Sequence, residues 1–167
     1  MLTTALGTST QFDPSLEPPM LIAHRAFLLA SAFTGAAIYV AAVEQPARLT
    51  LDDRAALTQW KPSYARGKVM QAALAAVGGA LALWTWWDRG SLLWLAAGIV
   101  LLAPWPFTIF VILPTNHILE TTPASAPTAE TRGLLIRWGR LHLVRAALGV
   151  ADHAAHAGST EQPYSLS

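Results

Sequence analysis

The sequence predicts an all-α transmembrane helical bundle, with three clear membrane helices plus a shorter, polar-faced fourth. Three observations predict it. Apolar residues make up 53% of the chain and charged residues only 13%, about half the share of roughly 25% found in soluble domains. The apolar residues come in blocks of the length, about 20 residues, that crosses a hydrocarbon core of about 30 Å. Charges, prolines and glycines gather between the blocks. The net charge of +1 leaves no basic footprint for nucleic acid, so the lipid bilayer is the expected partner. The chain has no cysteine, which excludes disulfides, thiolate nucleophiles and cysteine-bound zinc or iron–sulfur centres.

Residues 1–19, with Asp13, Glu17, Pro14, Pro18 and Pro19, lack the basic start and small-residue cleavage site of a secretory signal and are expected to be a flexible tail. The bundle is assigned to residues 20–150 and a polar C-terminal tail to residues 151–167. The first apolar block runs over 20–43, with His24 and Arg25 in its opening turn and Ser31 and Gly35 as a small-xxx-small pair for close helix approach. Glu44-Gln45-Pro46 is expected to stop it. A short helix over 51–60 follows, with Thr50 as N-cap and Asp53 three residues on.

The second block, 69–87, places Gln71, Ala75, Gly78 and Ala82 on one helical face. Small residues there predict helix packing, with Gln71 pointing into the bundle. Trp84, Trp86 and Trp87 beside Asp88-Arg89-Gly90 read as an interfacial belt at a tight hairpin. The third block, 91–114, carries Pro104 and Pro106, which deprive the carbonyls of Val100 and Leu102 of their helical partners. It should kink there and face protein, and leave the membrane at Pro114-Thr115-Asn116. A loop over 121–130 leads to the last helix, 134–150, which carries Arg137, Arg140, His142 and Arg145. A central arginine costs about 2.5–3.5 kcal/mol on insertion scales, so Arg145 must be paired in the bundle or held near the surface.

The first connection holds Arg48, Arg54, Lys61, Arg66 and Lys68, and the third holds Arg132 and leads to Arg137 and Arg140; the opposite side has only Arg25 and Arg89. The positive-inside rule then puts the first and third connections in the cytoplasm and the N-terminus outside. Glu44, Gln71, Thr115, Asn116 and His142 fall at that same end. Trp138, His142 and Arg145 share one face of the last helix. Intramembrane ionisable groups that meet in this way suggest a functional site. The same groups also serve a structural reading: Glu44 could settle the charge of Arg145 or Arg48, Asn116 could cap a helix, Gln71 could be interhelical glue and Tyr64 an interfacial anchor. His142, His153 and His156 lack the acidic or thiolate partners of a metal site.

Several strings occur in a distinctive order: Val43-Glu44-Gln45-Pro46-Ala47-Arg48, the stretch from Trp60 through Tyr64 and Arg66 to Gln71, Trp105-Pro106-Phe107-Thr108 with Pro114-Thr115-Asn116, and Arg137-Trp138 through His142 to Arg145. With them the chain resembles the family of small membrane proteins that includes the fungal and bacterial anthrone oxygenases, over about residues 20–150. The resemblance implies a four-helix membrane bundle and oxidation of a hydroxylated anthrone to an anthraquinone by dioxygen, with no metal or organic cofactor. The matching positions include Glu44, Trp60, Tyr64, Arg66, Gln71, Asn116, Trp138, His142 and Arg145. One departure is the last helix: Leu148-Gly149-Val150 is followed at once by Asp152 and polar sequence, so the fourth span is expected to be truncated.

On this reading the catalytic set is His142, Glu44, Arg145 and Asn116. His142 is the base, Arg145 and Asn116 stabilise an oxyanion, and Glu44 orients His142. Trp60, Tyr64, Arg66, Gln71 and Trp138 bind a flat aromatic substrate. No cofactor is expected, and the close-packing faces allow a homo-oligomer. The rival is a non-catalytic assembly or packing module, in which the same groups only join helices.

Overall fold

In the computed structural model the described residues are 17–160, with side chains described over 20–153. The expected tails over 1–16 and 161–167 lie outside them. The elements are α1 (Glu17–Tyr39), a π-helical turn (Val40–Glu44), α2 (Gln45–Leu49), α3 (Asp53–Arg89), α4 (Leu92–Leu102), α5 (Pro104–Phe107), a second π-helical turn (Thr108–Ile112), α6 (Leu113–Thr121) and α7 (Thr131–Thr160). They form four antiparallel rods: α1–α2, α3, α4–α6 and α7. Each rod packs on its neighbours in sequence, and α7 closes the ring against α1. No strand occurs among the described residues. Three stretches, Met20–Leu49, Asp53–Arg89 and Leu92–Thr121, are long and apolar enough to cross a membrane.

The prolines explain why rods one and three stay continuous. The expected stops at Glu44-Gln45-Pro46 and Pro114-Thr115-Asn116 are not stops: the chain stays helical to Leu49 and to Thr121. A proline in an α-helix clashes with the carbonyl four residues back. Here the residue before each proline bonds five residues back, Gln45 N–H to the Val40 carbonyl and Leu113 N–H to the Thr108 carbonyl. The widened turn makes room for Pro46 and Pro114, each of which opens the next α-helical segment. At Pro104 the break is real. The Ala103 N–H donates to the carbonyls of Ile99 and Val100 at 3.0 and 3.2 Å, so the carbonyl of Val100 regains a partner. Pro104 is buried as expected, but Pro106 is exposed.

The expected short helix over 51–60 is instead the start of α3, and its cap is not Thr50. Asp52 caps it, accepting from the Ala55 N–H at 2.8 Å. The helix runs on through Pro62 because Pro62 and Thr58, the residue whose carbonyl it frees, are both exposed, where water can satisfy the carbonyl. With 37 residues, α3 is about 55 Å long at 1.5 Å per residue. That exceeds the hydrocarbon thickness, so the charged segment before Val69 stands at or beyond the membrane surface. Gly90, at φ 68°, ends α3 in the left-handed conformation that glycine permits without strain, and its N–H bonds the Trp86 carbonyl at 2.7 Å.

Two further expectations change. The last helix does not end at Val150 but runs to Thr160, because the sequence beyond it is rich in alanine, the best helix former. Gly35 makes no close contact: a Cβ there would meet nothing within 4 Å. The face of Gln71, Ala75, Gly78 and Ala82 is buried as expected. Close approach uses other glycines as well. A Cβ on Gly79 would lie 2.6 Å from Leu102 Cγ, and one on Gly139 or Gly149 would collide with Gln45 or Thr34. The last two seat α7 on the first rod, where Gln45 Nε2 donates to the Leu135 carbonyl and Thr34 Oγ1 to the Gly149 carbonyl, each at 2.8 Å.

Candidate functional site

The end of the bundle where rods one and three finish and rods two and four begin holds most of the polar side chains singled out above. Its base is an apolar cluster of Ala56, Leu57, Trp60, Ile112, Leu119, Leu135 and Trp138. The first π-helical turn changes the rotation of the chain, so that Gln45 and Arg48 point inward and are buried. Arg48, 2% exposed, is fully engaged. Its Nη2 lies 2.6 Å from Glu44 Oε1, its Nη1 donates to Gln45 Oε1 at 2.5 Å, its Nε donates to Gln59 Oε1, and its guanidinium carbon stands 5.3 Å from the Trp138 ring centroid. Glu44 Oε1 also accepts from Gln59 Nε2 at 3.0 Å and from the Ser63 hydroxyl. Glu44 therefore belongs to Arg48, Gln59 and Ser63, and the expected Glu44–His142 pair does not form.

His142 is held by an aromatic chain instead. Tyr64 stacks on Trp60 with centroids 4.7 Å apart and planes 6° apart; Trp60 meets Trp138 edge-on at 5.9 Å; Trp138 stacks on His142 at 5.1 Å. Asn116, fully buried, donates from Nδ2 to the Tyr64 hydroxyl oxygen at 2.8 Å. Lys68 stands 4.8 Å from the Tyr64 ring centroid and pairs with Glu120 at 2.8 Å, tying α3 to α6.

Two cavities flank α3 at this level. The first, of about 510 Å³, lies between α3 and the 104–109 stretch of rod three; the second, of about 640 Å³, lies between α3 and rod one and is closed by Trp138, His142 and Arg145 of α7. Both are in the size range of small-molecule sites, about 300–1,000 Å³. Tyr64, Lys68, Gln71 and Arg145 line both, so the two share a wall.

Of the residues singled out from sequence, Glu44, Arg66, Trp138 and His142 line the second cavity, and Tyr64, Gln71 and Arg145 line both. Trp60 and Asn116 line neither; they stand behind Tyr64, one stacked on its ring and the other bonded to its hydroxyl. Lys68 was not singled out, although Trp60, Tyr64, Lys68 and Gln71 follow the i, i+4 and i+3 spacing of one helical face. Arg48, a charge of the first connection and one of the two partners that the structural reading offers Glu44, is turned inward by the π-helical turn and does pair with it.

Four polar atoms at this end are buried without a hydrogen-bond partner: His142 Nε2, Arg145 Nε, Trp60 Nε1 and Asn116 Oδ1. Buried polar groups are satisfied in the great majority of cases, and four such atoms gathered at one end of the bundle make it the candidate site. Arg145 forms no ion pair with a described residue; its guanidinium carbon lies 6.0 Å from the Phe33 ring centroid. Among the described residues no group of three or more His, Asp or Glu side chains is placed to hold a metal ion. His153 lies three turns along α7 from His142, against Phe27 and Ser31, and the side chain of His156 lies outside the described residues.

Comparison with known proteins identifies the family. Residues 60–154 match the family model described as anthrone oxygenase. The chain is 31% identical over 156 residues to an anthrone oxygenase of Claviceps purpurea, covering 84% of this chain and 86% of that protein. It is 42% identical over 52 residues to the anthrone oxygenase tpcL of Aspergillus fumigatus, covering 29% of this chain and 32% of that one. No solved structure matches the chain. The chain belongs to the anthrone oxygenase family.

Proposed function

We propose that this member of the anthrone oxygenase family is a membrane-embedded oxygenase that oxidises a polycyclic phenolic substrate of the anthrone type with dioxygen and no cofactor. One observation carries the reading. Three of the polar groups that could serve as interhelical glue do so: Glu44 accepts from Gln59 and Ser63 of α3, Gln45 donates to the Leu135 carbonyl, and Asn116 donates through Nδ2 to Tyr64. His142 and Arg145, which both line the second cavity, keep buried nitrogens without partners. A pure packing module has no use for that.

The chemistry needs few parts. An anthrone carries a CH₂ group between two aromatic rings, acidic because the carbanion is delocalised onto a ring oxygen. The neutral His142 imidazole takes one of its protons. The Arg145 guanidinium faces the charge that develops on the oxygen, and a fixed cation in a water-poor site stabilises it strongly. The carbanion passes an electron to dioxygen, and the two radicals join through a new C–O bond to give a peroxide, which His142 reprotonates. Loss of the second C–H proton with cleavage of the O–O bond leaves a ketone and water. The CH₂ carbon loses four electrons and dioxygen gains four. Trp138 and Tyr64 offer flat faces to the rings. The positive connections support an orientation with this end of the bundle in the cytoplasm.

The test is dioxygen uptake by the purified protein in detergent with a hydroxylated anthrone, beside His142→Ala. General acid–base groups contribute about 10²–10⁴-fold. Uptake above the spontaneous rate should fall by that order in a variant that elutes and melts like the parent. Full uptake by the variant would remove His142 from the mechanism. Uptake by the parent no faster than the spontaneous rate would remove the substrate class and favour an assembly or packing role.

A further inference from the structure

Rod one and α3 touch at two levels and part between them. Towards the membrane surface hydrogen bonds join them: Glu44 Oε1 accepts from Gln59 Nε2 at 3.0 Å and from the Ser63 hydroxyl, and Arg48 Nε donates to Gln59 Oε1. Deeper in the membrane small residues bring the backbones together. A Cβ on Gly78 would lie 3.2 Å from Leu29 Cβ and 3.8 Å from the Ala30 nitrogen, and Ala30 and Phe33 pack with Ala75. Between these levels the second cavity lies between the two helices, with Gly35 and Tyr39 of α1 on one side and Gly67 and Met70 of α3 on the other. Tyr39 is 58% and Met70 49% exposed, so the cavity reaches the outer surface of the bundle there. Gly35 stands near the middle of the membrane-crossing stretch Met20–Leu49, about 13 Å along the helix from Glu44 at 1.5 Å per residue, so that surface faces lipid. At the back of the gap are His142 and Arg145 of α7.

The two glycines are unlike the others in these helices. Only proline is a poorer helix former than glycine. At Gly78 and Gly79 neighbouring side chains fill the space of the missing Cβ, whereas a Cβ on Gly35 or Gly67 would meet nothing within 4 Å. Here the absent side chains do not bring helices together; they keep the gap clear.

We infer that the gap between α1 and α3 is a window to the bilayer through which a flat polycyclic phenol passes from lipid straight into the second cavity, and that Gly35 and Gly67 set its width. The inference rests on the oxygenase reading and adds the route of the substrate. The bilayer is the phase in which such phenols concentrate. Their apolar rings slide past Tyr39 and Met70, and the oxygen-bearing edge meets Arg145 and His142 behind. His142 lines this cavity and not the first, so the route needs no passage between the two.

The absence of native cysteine permits a test on the whole chain in lipid vesicles. His142→Cys places a single thiol at the back of the gap, and pyrenylmaleimide, a flat polycyclic thiol reagent that dissolves in lipid, is the probe. The thiol should be labelled from the bilayer, and adding Gly35→Trp or Gly67→Trp should slow the labelling several-fold at parental Tm. Gly133→Trp, at a glycine with equal free space that lines neither cavity, should leave the rate unchanged. A thiol that the lipid-borne reagent does not reach, or a rate indifferent to bulk at both 35 and 67, overturns the window. Labelling needs no turnover, so the two readings fail separately. Slowed labelling beside a parent with no dioxygen uptake would sink the oxygenase reading and leave the window; an active parent whose labelling ignores both positions would do the reverse.

Discussion

The two ends of the bundle are built on opposite principles. At the hairpin end, formed by the start of α1, the end of α3 and the start of α4, small residues let the backbones approach: Ala23, Ala26 and Ala82 pack around Trp94, and Gly98 leaves only enough room for Leu83. In the membrane, where hydrocarbon competes for every apolar contact, such packing is a main source of helix association. At the other end the rods are held by an arginine-centred hydrogen-bond network and enclose two cavities. The hairpin end secures the helices, so the site end can leave His142 and Arg145 unsatisfied. Strain and poor packing at one site are tolerated when the surroundings determine the geometry.

If that division holds, the largest loss of stability should come from the network and not from the cavities. Arg48→Met removes the partner of Glu44 and strands Gln45 and Gln59. Breaking a buried pair from one side costs about 3–5 kcal/mol, and the lower half of that range is expected because Glu44 keeps 17% of its side-chain surface exposed. Thermal unfolding in detergent should show it as a clear fall in Tm. Because Arg48 also stands on Trp138, which stacks on His142, the folded fraction should turn over more slowly. A variant with parental Tm would show that the network is not what holds this end.

How far the sequence could lead follows the same division. The rods, the hairpin at Gly90 and the small-residue face of α3 are legible because hydropathy and helical spacing are local properties. That the polar residues gather at one end of the bundle is legible too, since alternating rods bring their ends together. For Glu44 the sequence offers Arg48, Arg145 and His142 without deciding among them. The choice depends on helix rotation after residue 44, and the π-helical turn adds a residue that spacing rules based on 3.6 per turn do not count. The two cavities were equally hidden, because they arise from side-chain volumes across three rods. Gly35 shows the limit well. A small-xxx-small pair permits close approach, but the rod that could approach lies across a cavity.

A smaller effect is expected at the hairpin end. Gly79→Leu would force a side chain into the space of Leu102, whose Cγ stands 2.6 Å from a Cβ at that position. Overpacking costs about 1–3 kcal/mol. The prediction that sharpens the comparison is the uncoupling: Tm in detergent should fall, while dioxygen uptake per folded molecule stays at the parental value. A loss of turnover equal to that of Arg48→Met would mean that the two ends are not independent, and that the cavities depend on the crossing of α3 and α4.

The smallest effect should come from Tyr64→Phe, at the boundary between scaffold and site. The variant keeps the stack on Trp60 and loses only the oxygen that accepts from Asn116 at 2.8 Å. Interhelical hydrogen bonds in membrane proteins average about 0.6 kcal/mol and reach about 1.7 kcal/mol. The upper part of that range is expected, because Asn116 Oδ1 already lacks a partner and its Nδ2 would lose one as well. The size of the activity change assigns the hydroxyl. A loss of turnover no larger than the loss of folded protein makes Tyr64 a wall and Asn116 its support. A much larger loss in kcat, with stability nearly kept, would place the hydroxyl on the substrate, and Asn116→Ala should then reproduce it in part by letting the ring turn.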